Sequence, residues 1–354
     1  MKRIAIVTMA VLGVVAFSFS VQAETLELLT WQGYAPKVLM DKFEKETGIT
    51  VKPTYSNNEE MIAKLRATRG AGFDLAQPSQ DRISSVQEKY NLYQPIDYSQ
   101  LAADQVIPSM LDAVKKNTRV GENSYGVPHV YGTSGLIVNR KEAPNASDYK
   151  DLLNPEYKGR VSYRLKRPTL IGLAFSMGKD PFALYGDALR YEKLMNEVGD
   201  QMIEAKGLVK NYWTNGDALL QSMRSGEVHV AMAWDNGGWK LHAENPDIDF
   251  IAPKSGALGW IDTFAIPAKA KNIEAAYKWI NFMLKAENAA VFTNKEKYGT
   301  ASVGAIDHLD ADVKDNFKRS FTSADIDSIR WYPPVPAKLE AIEGLILDKV
   351  KAAK

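Results

Sequence analysis

The sequence contains no cysteine and only four histidines. Without cysteine, the chain can form neither a disulfide nor a metal site built on thiolates. The histidines are far apart and show no His-x-x-x-His spacing, which argues against a zinc hydrolase site: His129, His229, His242 and His308. The sequence also lacks a Gly-x-Ser-x-Gly or P-loop pattern. It therefore predicts a protein that is not an enzyme and that uses no metal or cofactor.

An excess of charge of either sign is also absent. The chain has 44 lysine and arginine residues against 43 aspartate and glutamate residues, which gives a formal net charge of +1. A nearly neutral chain offers no electrostatic footprint for nucleic acid or for an anionic membrane. We therefore expect neither as a partner.

Long apolar runs are confined to the start of the sequence. Lys2 and Arg3 precede the run from Ile4 to Phe17, and the small residues up to Ala23 suit a signal peptidase. The run is short for a membrane span, and no cysteine follows it that could carry a lipid. We predict a signal peptide over residues 1–23, cleaved after Ala23, and a soluble periplasmic protein. Its formal charge would be −1, because the removed segment carries Lys2, Arg3 and no acidic residue.

Short apolar segments alternate with amphipathic segments along the chain, which predicts strands alternating with helices. The predicted strands cover residues 26–29, 49–51, 74–76, 161–163, 228–234 and 260–266. The predicted helices cover residues 36–48, 57–68, 168–175, 185–202 and 273–284. This alternation, over 354 residues, predicts two α/β lobes with mostly parallel sheets. Ligands of such sheets lie beyond the carboxyl ends of the strands, so we expect a site in the cleft between the lobes.

Two of the predicted helices carry clear end signals. Pro36 and Gly48 predict the start and the end of the first helix. Asn57 with Glu60 predicts a capping box at the start of the second. The side chains predicted to face inward from the first helix are Val38, Leu39 and Phe43.

The strand that contains Trp260 and Asp262 carries the most specific chemical pattern. The two residues are two positions apart, so on a strand their side chains point to the same side. An aromatic face and a carboxylate together can hold an ammonium group, each contributing roughly 1–2 kcal/mol where water is excluded. The same pattern is also compatible with a core tryptophan and a turn aspartate.

An ordered set of short motifs resembles the periplasmic spermidine/putrescine-binding proteins of ABC importers, within the bacterial extracellular solute-binding proteins. The resemblance covers essentially the whole chain after residue 23. The motifs are Leu29–Tyr34, Phe43–Ile49, Asp74-Leu75 with Pro78-Ser79, Ser225–Val228, Met232–Trp234, and Trp260–Asp262 with Ala265–Pro267.

The resemblance implies a type II periplasmic-binding fold, in which two α/β lobes are joined by two crossover segments around a central cleft. The lobes would comprise residues 24–131 with 259–302, and residues 132–258 with 303–354. The implied function is capture of a small amine-bearing solute and its delivery to the membrane permease of an ABC importer, by a protein that is monomeric and not inserted in the membrane.

The resemblance also implies which residues contact the solute. Aromatic side chains would grip its alkyl chain and amines, and acidic side chains would pair with the amines. The matching positions are Trp31, Tyr34, Ser79, Trp234, Trp260, Asp262 and Tyr298. The remaining tryptophans in the body of the chain have no such match, and we predict that they serve in packing: Trp213, Trp239 and Trp279.

The departures from the family pattern affect the expected ligand. Gly33 stands just before Tyr34, where polyamine binders of this type carry a carboxylate. Arg164, Lys166 and Arg167 follow the strand at 161–163, where the family places acidic residues. These cations would repel the second ammonium of a polyamine.

Two interpretations of this basic cluster stay open. It can be a solvated turn beside the cleft, or it can face the ligand and make the site bipolar. In the second case, Asp262 with Trp260 would bind the amine, with Asp81 or Asp235 as further carboxylates, and Arg164, Lys166 or Arg167 would bind an acidic group. That arrangement predicts a short zwitterion, such as an amino acid-like or amino-phosphonate-like compound.

Two other functions are compatible with the same sequence. The closed protein could be read by a chemoreceptor or a kinase ectodomain instead of a permease, which would make it a sensor. It could also bind a sugar, with polar groups from residues 215–217 and 235–238 matched to hydroxyl groups.

Overall fold

The computed structural model describes residues 24–322, 324–325 and 328–353. The predicted signal peptide, residues 1–23, lies outside these ranges. The strands are β1 (Thr25–Thr30), β2 (Thr50–Tyr55), β3 (Leu75–Ala76), β4 (Arg119–Val120), β5 (Asn123–Ser124), β6 (Val127–Asn139), β7 (Val161–Tyr163), β8 (Val209–Tyr212), β9 (Val230–Trp234), β10 (Ile248–Ile251), β11 (Leu258–Phe264), β12 (Gly299–Thr300) and β13 (Arg330–Trp331).

Helices connect most of these strands. The helices are α1 (Lys37–Thr47), α2 (Asn58–Thr68), α3 (Ser84–Tyr90), α4 (Pro108–Asn117), α5 (Arg167–Ser176), α6 (Ala188–Glu204), α7 (Gly216–Arg224), α8 (Asp235–Glu244), α9 (Ile273–Leu284), α10 (Ala286–Glu296), α11 (Ala311–Ser320) and α12 (Ala337–Ala352). Short 3-10 helices include the one at Gln80–Arg82, directly after β3. None of the helices in the described part of the chain combines the length and apolar character that a membrane span requires.

The first lobe is built around a parallel three-stranded sheet with the order β2-β1-β3. Leu26 and Leu28 of β1 are fully buried, and α1 packs beside β2. Helix α1 follows Pro36 and ends at Gly48, whose φ of 74° is the left-handed conformation that glycine adopts without strain. Both predicted ends of this helix are thus confirmed.

Two details of the first lobe differ from the sequence-based expectation. Val38 is 53% exposed, whereas Leu39 is buried. Consecutive helical residues point about 100° apart, so both cannot lie at the centre of one buried face. Asn57 accepts a hydrogen bond from the Glu60 backbone at 3.1 Å, but the Glu60 carboxylate accepts from Ser56 Oγ instead of returning the bond. Only half of the predicted capping box forms.

The second lobe is built around β9, β7 and β8, which are parallel to one another. Helices α5 and α6 pack together there, and α12 packs along α6. Helix α6 begins at Ala188 rather than at the predicted Tyr185, because Asp187 caps it by accepting from the Arg190 backbone at 3.1 Å. The prediction for α9 is confirmed at both ends.

Two strands join the lobes and make the large sheet mixed. β6 is 13 residues long and pairs antiparallel with β9, β10, β11 and β12. β11 runs beside it from Leu258 to Phe264. The expectation of mostly parallel sheets is wrong here, because β6 and β11 run in opposite directions between the lobes. The predicted lobe boundaries, at residues 131/132 and 258/259, fall in or at the start of these two strands and stay a prediction.

Candidate functional site

A cleft of about 480 Å³ lies between the two lobes. Small-molecule sites commonly have volumes of about 300–1,000 Å³, so the cleft suits a small solute. It is lined by residues of the first lobe, the second lobe and the connecting strand β11. The predicted site residues that line it are Trp31, Tyr34, Ser79, Asp81, Arg164, Lys166, Trp234, Trp260, Asp262 and Tyr298.

Asp262 is held by residues far away in the sequence. Ser79 pairs with Asp262 as an isolated antiparallel bridge, and its hydroxyl group donates to Oδ1 of Asp262 at 2.5 Å. The Tyr34 hydroxyl group donates to Oδ2 at 2.7 Å. Ser79 is itself fixed by the Asn58 side chain, whose Nδ2 donates to Ser79 Oγ at 2.9 Å and whose Oδ1 accepts from the Ser79 backbone at 3.0 Å. The carboxylate is therefore preorganised before a ligand arrives.

The Asp262 carboxylate is buried without a counter-charge. It is 4% exposed, and within the described residues no lysine, arginine or histidine nitrogen lies within ion-pair distance of it. Burial raises the pKa of Asp262 to about 7, and the hydrogen bonds from Ser79 and Tyr34 only partly oppose this effect. A cation placed beside it would favour the ionised form.

Aromatic rings form the walls around this carboxylate. Trp260 lies two residues before Asp262 on β11, and both side chains line the cleft, as the strand period predicts. The Trp260 and Tyr298 rings meet edge to face at 5.2 Å between centroids, and Tyr34 meets Tyr298 at 6.1 Å. Trp31 stands beside Tyr34 at 6.4 Å. Their faces can hold methylene groups and an ammonium group.

Asp235 does not line the cleft. Its Oδ2 accepts from the backbone and hydroxyl groups of Thr133, at 2.7 and 3.0 Å, and its Oδ1 accepts from the Asn236 backbone at 2.8 Å. Burial raises its pKa to about 7, against the lowering effect of the Thr133 bonds. The carboxylate thus lies behind the cleft wall, where its contacts are structural.

Asp81 lines the cleft, but its charge is already balanced. Arg167 Nη1 donates to Asp81 Oδ2 at 2.6 Å, and Arg167 Nε donates to Glu343 Oε1 of α12 at 3.1 Å. The guanidinium lies 4.8 Å from the Tyr332 ring centroid and also donates to the Tyr185 hydroxyl group. Burial by itself lowers the pKa of Arg167, but Glu343, Tyr185 and Asp81 outweigh it and raise the pKa well above its usual value. Arg167 therefore ties the first lobe to the second.

Other ion pairs cross between the lobes beside the cleft. Their partners come from the 3-10 helix at Gln80–Arg82, α2 and α10 on one side and from the second lobe on the other. The pairs are Arg82 with Glu340, Glu59 with Lys166 at 3.7 Å, and Glu296 with Lys240 at 3.1 Å. A Cβ atom on Gly33 would lie 2.9 Å from Glu296 Oε2, so this glycine leaves room for a carboxylate that arrives from α10.

Arg164 is held by two tryptophans. Its guanidinium lies 5.3 Å from the Trp213 ring centroid and 5.2 Å from that of Trp234, and the two rings meet edge to face. Arg164, Trp213 and Trp234 stand at the carboxyl ends of β7, β8 and β9, which are neighbours in the sheet. Ligands of α/β sheets bind at this edge.

The sequence-based reasoning missed Trp213 as a cleft residue. Its indole is buried and donates to the Met232 carbonyl at 3.0 Å, but it also lines the cavity. Its position directly after β8 is the signal that could have identified it. Trp239 and Trp279 lie in the core, as predicted.

The comparisons with known proteins agree with this architecture. The family model of bacterial extracellular solute-binding proteins matches residues 38–319. The spermidine/putrescine-binding periplasmic protein of Escherichia coli K12 is 30% identical over 341 residues, covering 93% of this chain and 92% of that protein. The putrescine-binding periplasmic protein PotF of the same organism is 24% identical and covers 98% and 96%, respectively.

A solved structure shares the fold. The substrate-binding protein PotD of a spermidine/putrescine ABC transporter from Streptococcus pneumoniae superposes with a TM-score of 0.74 at 23% identity, over 93% of this chain and 98% of that one. The chain therefore belongs to the bacterial extracellular solute-binding proteins, a family of binding proteins rather than enzymes, and has the type II periplasmic-binding fold.

Proposed function

We propose that this protein captures a small amine-bearing solute in the periplasm and delivers it to the membrane permease of an ABC importer. The mature chain begins at Glu24, after cleavage following Ala23, and acts as a monomer. The names of the relatives, which are periplasmic spermidine/putrescine- and putrescine-binding proteins, support both the compartment and the solute class.

The observation that carries the proposal is the buried Asp262 carboxylate, which has two hydrogen-bond donors and, among the described residues, no cation within ion-pair distance. An ammonium group of the solute supplies the missing charge. Its contact with a desolvated carboxylate is a charge-assisted hydrogen bond, which is stronger than a neutral one. Trp260 and Tyr298 then present ring faces to the carbon atoms next to the amine.

A neutral sugar fits this arrangement less well. Its hydroxyl groups could donate to Asp262, but they would leave the negative charge buried without a partner, which is costly. An amine removes that cost.

The position of the cleft explains how binding could be signalled to a permease. Asp262, Tyr34 and Ser79 contact the solute from the first lobe and β11, and Trp234 and Arg164 contact it from the second lobe. A solute that contacts both lobes favours the closed arrangement over an open one. The ion pairs that cross between the lobes hold the lobes in the arrangement seen in the structure.

The test is a thermal-shift and calorimetric screen of the purified protein against putrescine, spermidine, 4-aminobutyrate, taurine, common amino acids and simple sugars. We expect stabilisation by amines alone, because a ligand that binds only the folded form raises the melting temperature. Asp262→Asn should lower the affinity for the best amine by roughly 30- to 1,000-fold. Asp41→Asn, which changes an exposed aspartate on α1, is the matched control and should bind normally.

Two results would contradict the proposal. One is stabilisation by a sugar and by no amine. The other is an Asp262→Asn variant that binds its amine as tightly as the Asp41→Asn control does.

A further inference from the structure

The charged side chains that line the cleft largely cancel one another. Acidic and basic partners pair within the cavity wall: Asp81 with Arg167, Glu59 with Arg82 and Lys166, and Glu296 with Lys240. Asp217 lines the rim, where its side chain is exposed to solvent. Among the described lining residues, the charges that remain inside without an ion-pair partner are those of Asp262 and Arg164; burial lowers the pKa of Arg164, and the nearby Glu59 opposes this effect.

The Arg164 guanidinium has donors to spare. Its guanidinium carbon lies 5.3 and 5.2 Å from the Trp213 and Trp234 ring centroids, and these cation–π contacts do not use its N–H groups as hydrogen-bond donors to oxygen. In the part of the chain that the structure describes, no carboxylate or carbonyl oxygen accepts a hydrogen bond from this guanidinium, whereas Arg167, three residues later, uses all three of its nitrogens. A planar guanidinium with unused N–H donors matches the two oxygens of a carboxylate.

Tyr298 relates the two unpaired charges in space. Burial raises the pKa of this tyrosine well above its usual value, the negative charges of Asp235, Asp262 and Glu296 raise it further, and the positive charge of Arg164 lowers it. Asp262, Arg164 and Tyr298 all line the same cavity of about 480 Å³. The Tyr298 ring lies near the Asp262 end of the cavity, because it contacts the rings of Tyr34 and Trp260.

We propose that the solute is a zwitterion whose acidic group, a carboxylate in the first instance, is bound by the Arg164 edge while its amine is bound by Asp262. This inference rests on the proposed function, because it takes the Asp262 end as the amine site. It assigns Arg164 as the residue that determines specificity. The cavity then has a balanced charge when occupied, whereas a diamine would place its second ammonium against an unpaired guanidinium.

The neighbouring cations do not offer the same site. Lys166 pairs with Glu59, and Arg167 is enclosed by Asp81, Glu343 and Tyr185. All three cations of the basic segment after β7 line the cleft, but Lys166 and Arg167 are paired with carboxylates and Arg164 is not.

The experiment compares ligands of equal chain length by calorimetry on the purified protein. The four-carbon set is 4-aminobutyrate, which carries an amine and a carboxylate, putrescine, which carries two amines, butylamine, which carries one amine, and butyrate, which carries one carboxylate. Glycine, β-alanine and 5-aminovalerate vary the length, and taurine and 2-aminoethylphosphonate replace the carboxylate. We expect the best zwitterion to bind at least tenfold more tightly than putrescine or butylamine.

Variants of Arg164 test its role directly. Arg164→Gln should weaken the best zwitterion by about 30-fold and leave butylamine within threefold. Arg164→Glu should reverse the preference, so that putrescine binds more tightly than any zwitterion. Lys210→Gln is the control, because it removes an exposed lysine of the same lobe that pairs with Glu227. Circular dichroism of each variant verifies that the fold is retained.

The outcomes separate this inference from the function on which it rests. The inference is overturned if putrescine or spermidine binds more tightly than every zwitterion and Arg164→Gln does not weaken binding. In that case the proposed function still stands if Asp262→Asn loses affinity for the amine. If a sugar binds and no amine does, both are overturned. If a zwitterion binds best and needs both Asp262 and Arg164, both are supported.

Discussion

Gly132 of β6 lies directly against the indole of Trp260. A Cβ atom at Gly132 would stand 2.5 Å from Cζ2 of Trp260, and 3.1 Å from Oδ1 of Asp235. Only a glycine lets the strand approach the indole this closely, so the position of the cleft wall depends on a residue that does not itself line the cleft.

Gly132→Ala should therefore displace Trp260 and lower solute affinity by at least tenfold. The overpacking should also reduce the free energy of unfolding by about 1–3 kcal/mol. Calorimetric titration and urea unfolding measure the two effects. Gly344→Ala is the control, because it adds a methyl group at an exposed position of α12, with no heavy atom within 4 Å of the new Cβ. Equal affinities in the two variants would refute this role of Gly132.

Solute affinity should fall as the pH drops below 7. The amine binds the ionised form of Asp262, whose pKa in the ligand-free protein is about 7 because the group is buried. Below that pH, binding must displace a proton, and affinity should decrease by roughly tenfold per pH unit. Arg164 remains charged over the same pH range, so it does not contribute to the pH dependence of the affinity.

Titrations in buffers of different ionisation enthalpy measure the proton release. About half a proton should leave per solute bound at pH 7, and almost none at pH 9. In Asp262→Asn the release should vanish. An unchanged release in that variant would assign the proton to another group.

Tyr34→Phe should shift this pH profile upward. The phenol donates to Asp262 and lowers its pKa, so removing the hydroxyl group leaves the carboxyl pKa higher than about 7. Affinity should therefore be lost mainly near neutral pH and recovered largely at pH 9, because the phenyl ring still packs against Phe292. Tyr93→Phe, which removes a buried hydroxyl group without a partner among the described residues, should leave the profile in place.

Ligand-free Asp262→Asn should be more stable than the unchanged protein at neutral and alkaline pH. A carboxyl whose folded pKa is raised, to about 7 from the usual 3.8, binds its proton more tightly when folded, so stability falls as the pH rises between these values. Asparagine removes that loss, and the gain in the free energy of unfolding should reach on the order of 4 kcal/mol above pH 7 and disappear near pH 4. Urea unfolding across this range gives the difference, and a gain that does not depend on pH would contradict the assignment.

Arg167→Met should destabilise the protein strongly. It leaves the Asp81 and Glu343 carboxyl groups buried without their shared counter-charge, and breaking such a buried network costs about 3–5 kcal/mol. Arg224→Met removes an exposed pair with Glu244 and should cost less than about 1 kcal/mol. Similar losses in both variants, measured by urea unfolding, would show that the Arg167 network does not stabilise the closed lobes.

Much of the local structure could be predicted from the sequence. Gly48 and Pro36 mark the ends of α1, and the pattern of α9 was sufficient for both of its ends, because these signals act within one turn of helix. The two-residue spacing of Trp260 and Asp262 likewise predicted that both side chains face the same side of the strand, and both line the cleft.

The contacts between distant segments could not be predicted in the same way. Asp81 and Asp235 are both aspartates near the expected site, but Arg167 neutralises one, and Thr133 holds the other behind the wall. The basic segment looked uniform in sequence, whereas Arg164 and Arg167 have opposite roles because α12 brings Glu343 to only one of them. Such differences depend on which elements meet, and no local pattern encodes them.

The 13-residue strand β6 has a consequence for how the protein unfolds. Its first half pairs with β11 and β12, and its second half pairs with β9 and β10, so each lobe uses the same strand as part of its sheet. Unfolding of one lobe would remove half of the strands that pair with β6 and leave an exposed edge on the sheet of the other lobe. Although the molecule has two lobes, it should therefore melt as a single cooperative unit, with equal calorimetric and van't Hoff enthalpies.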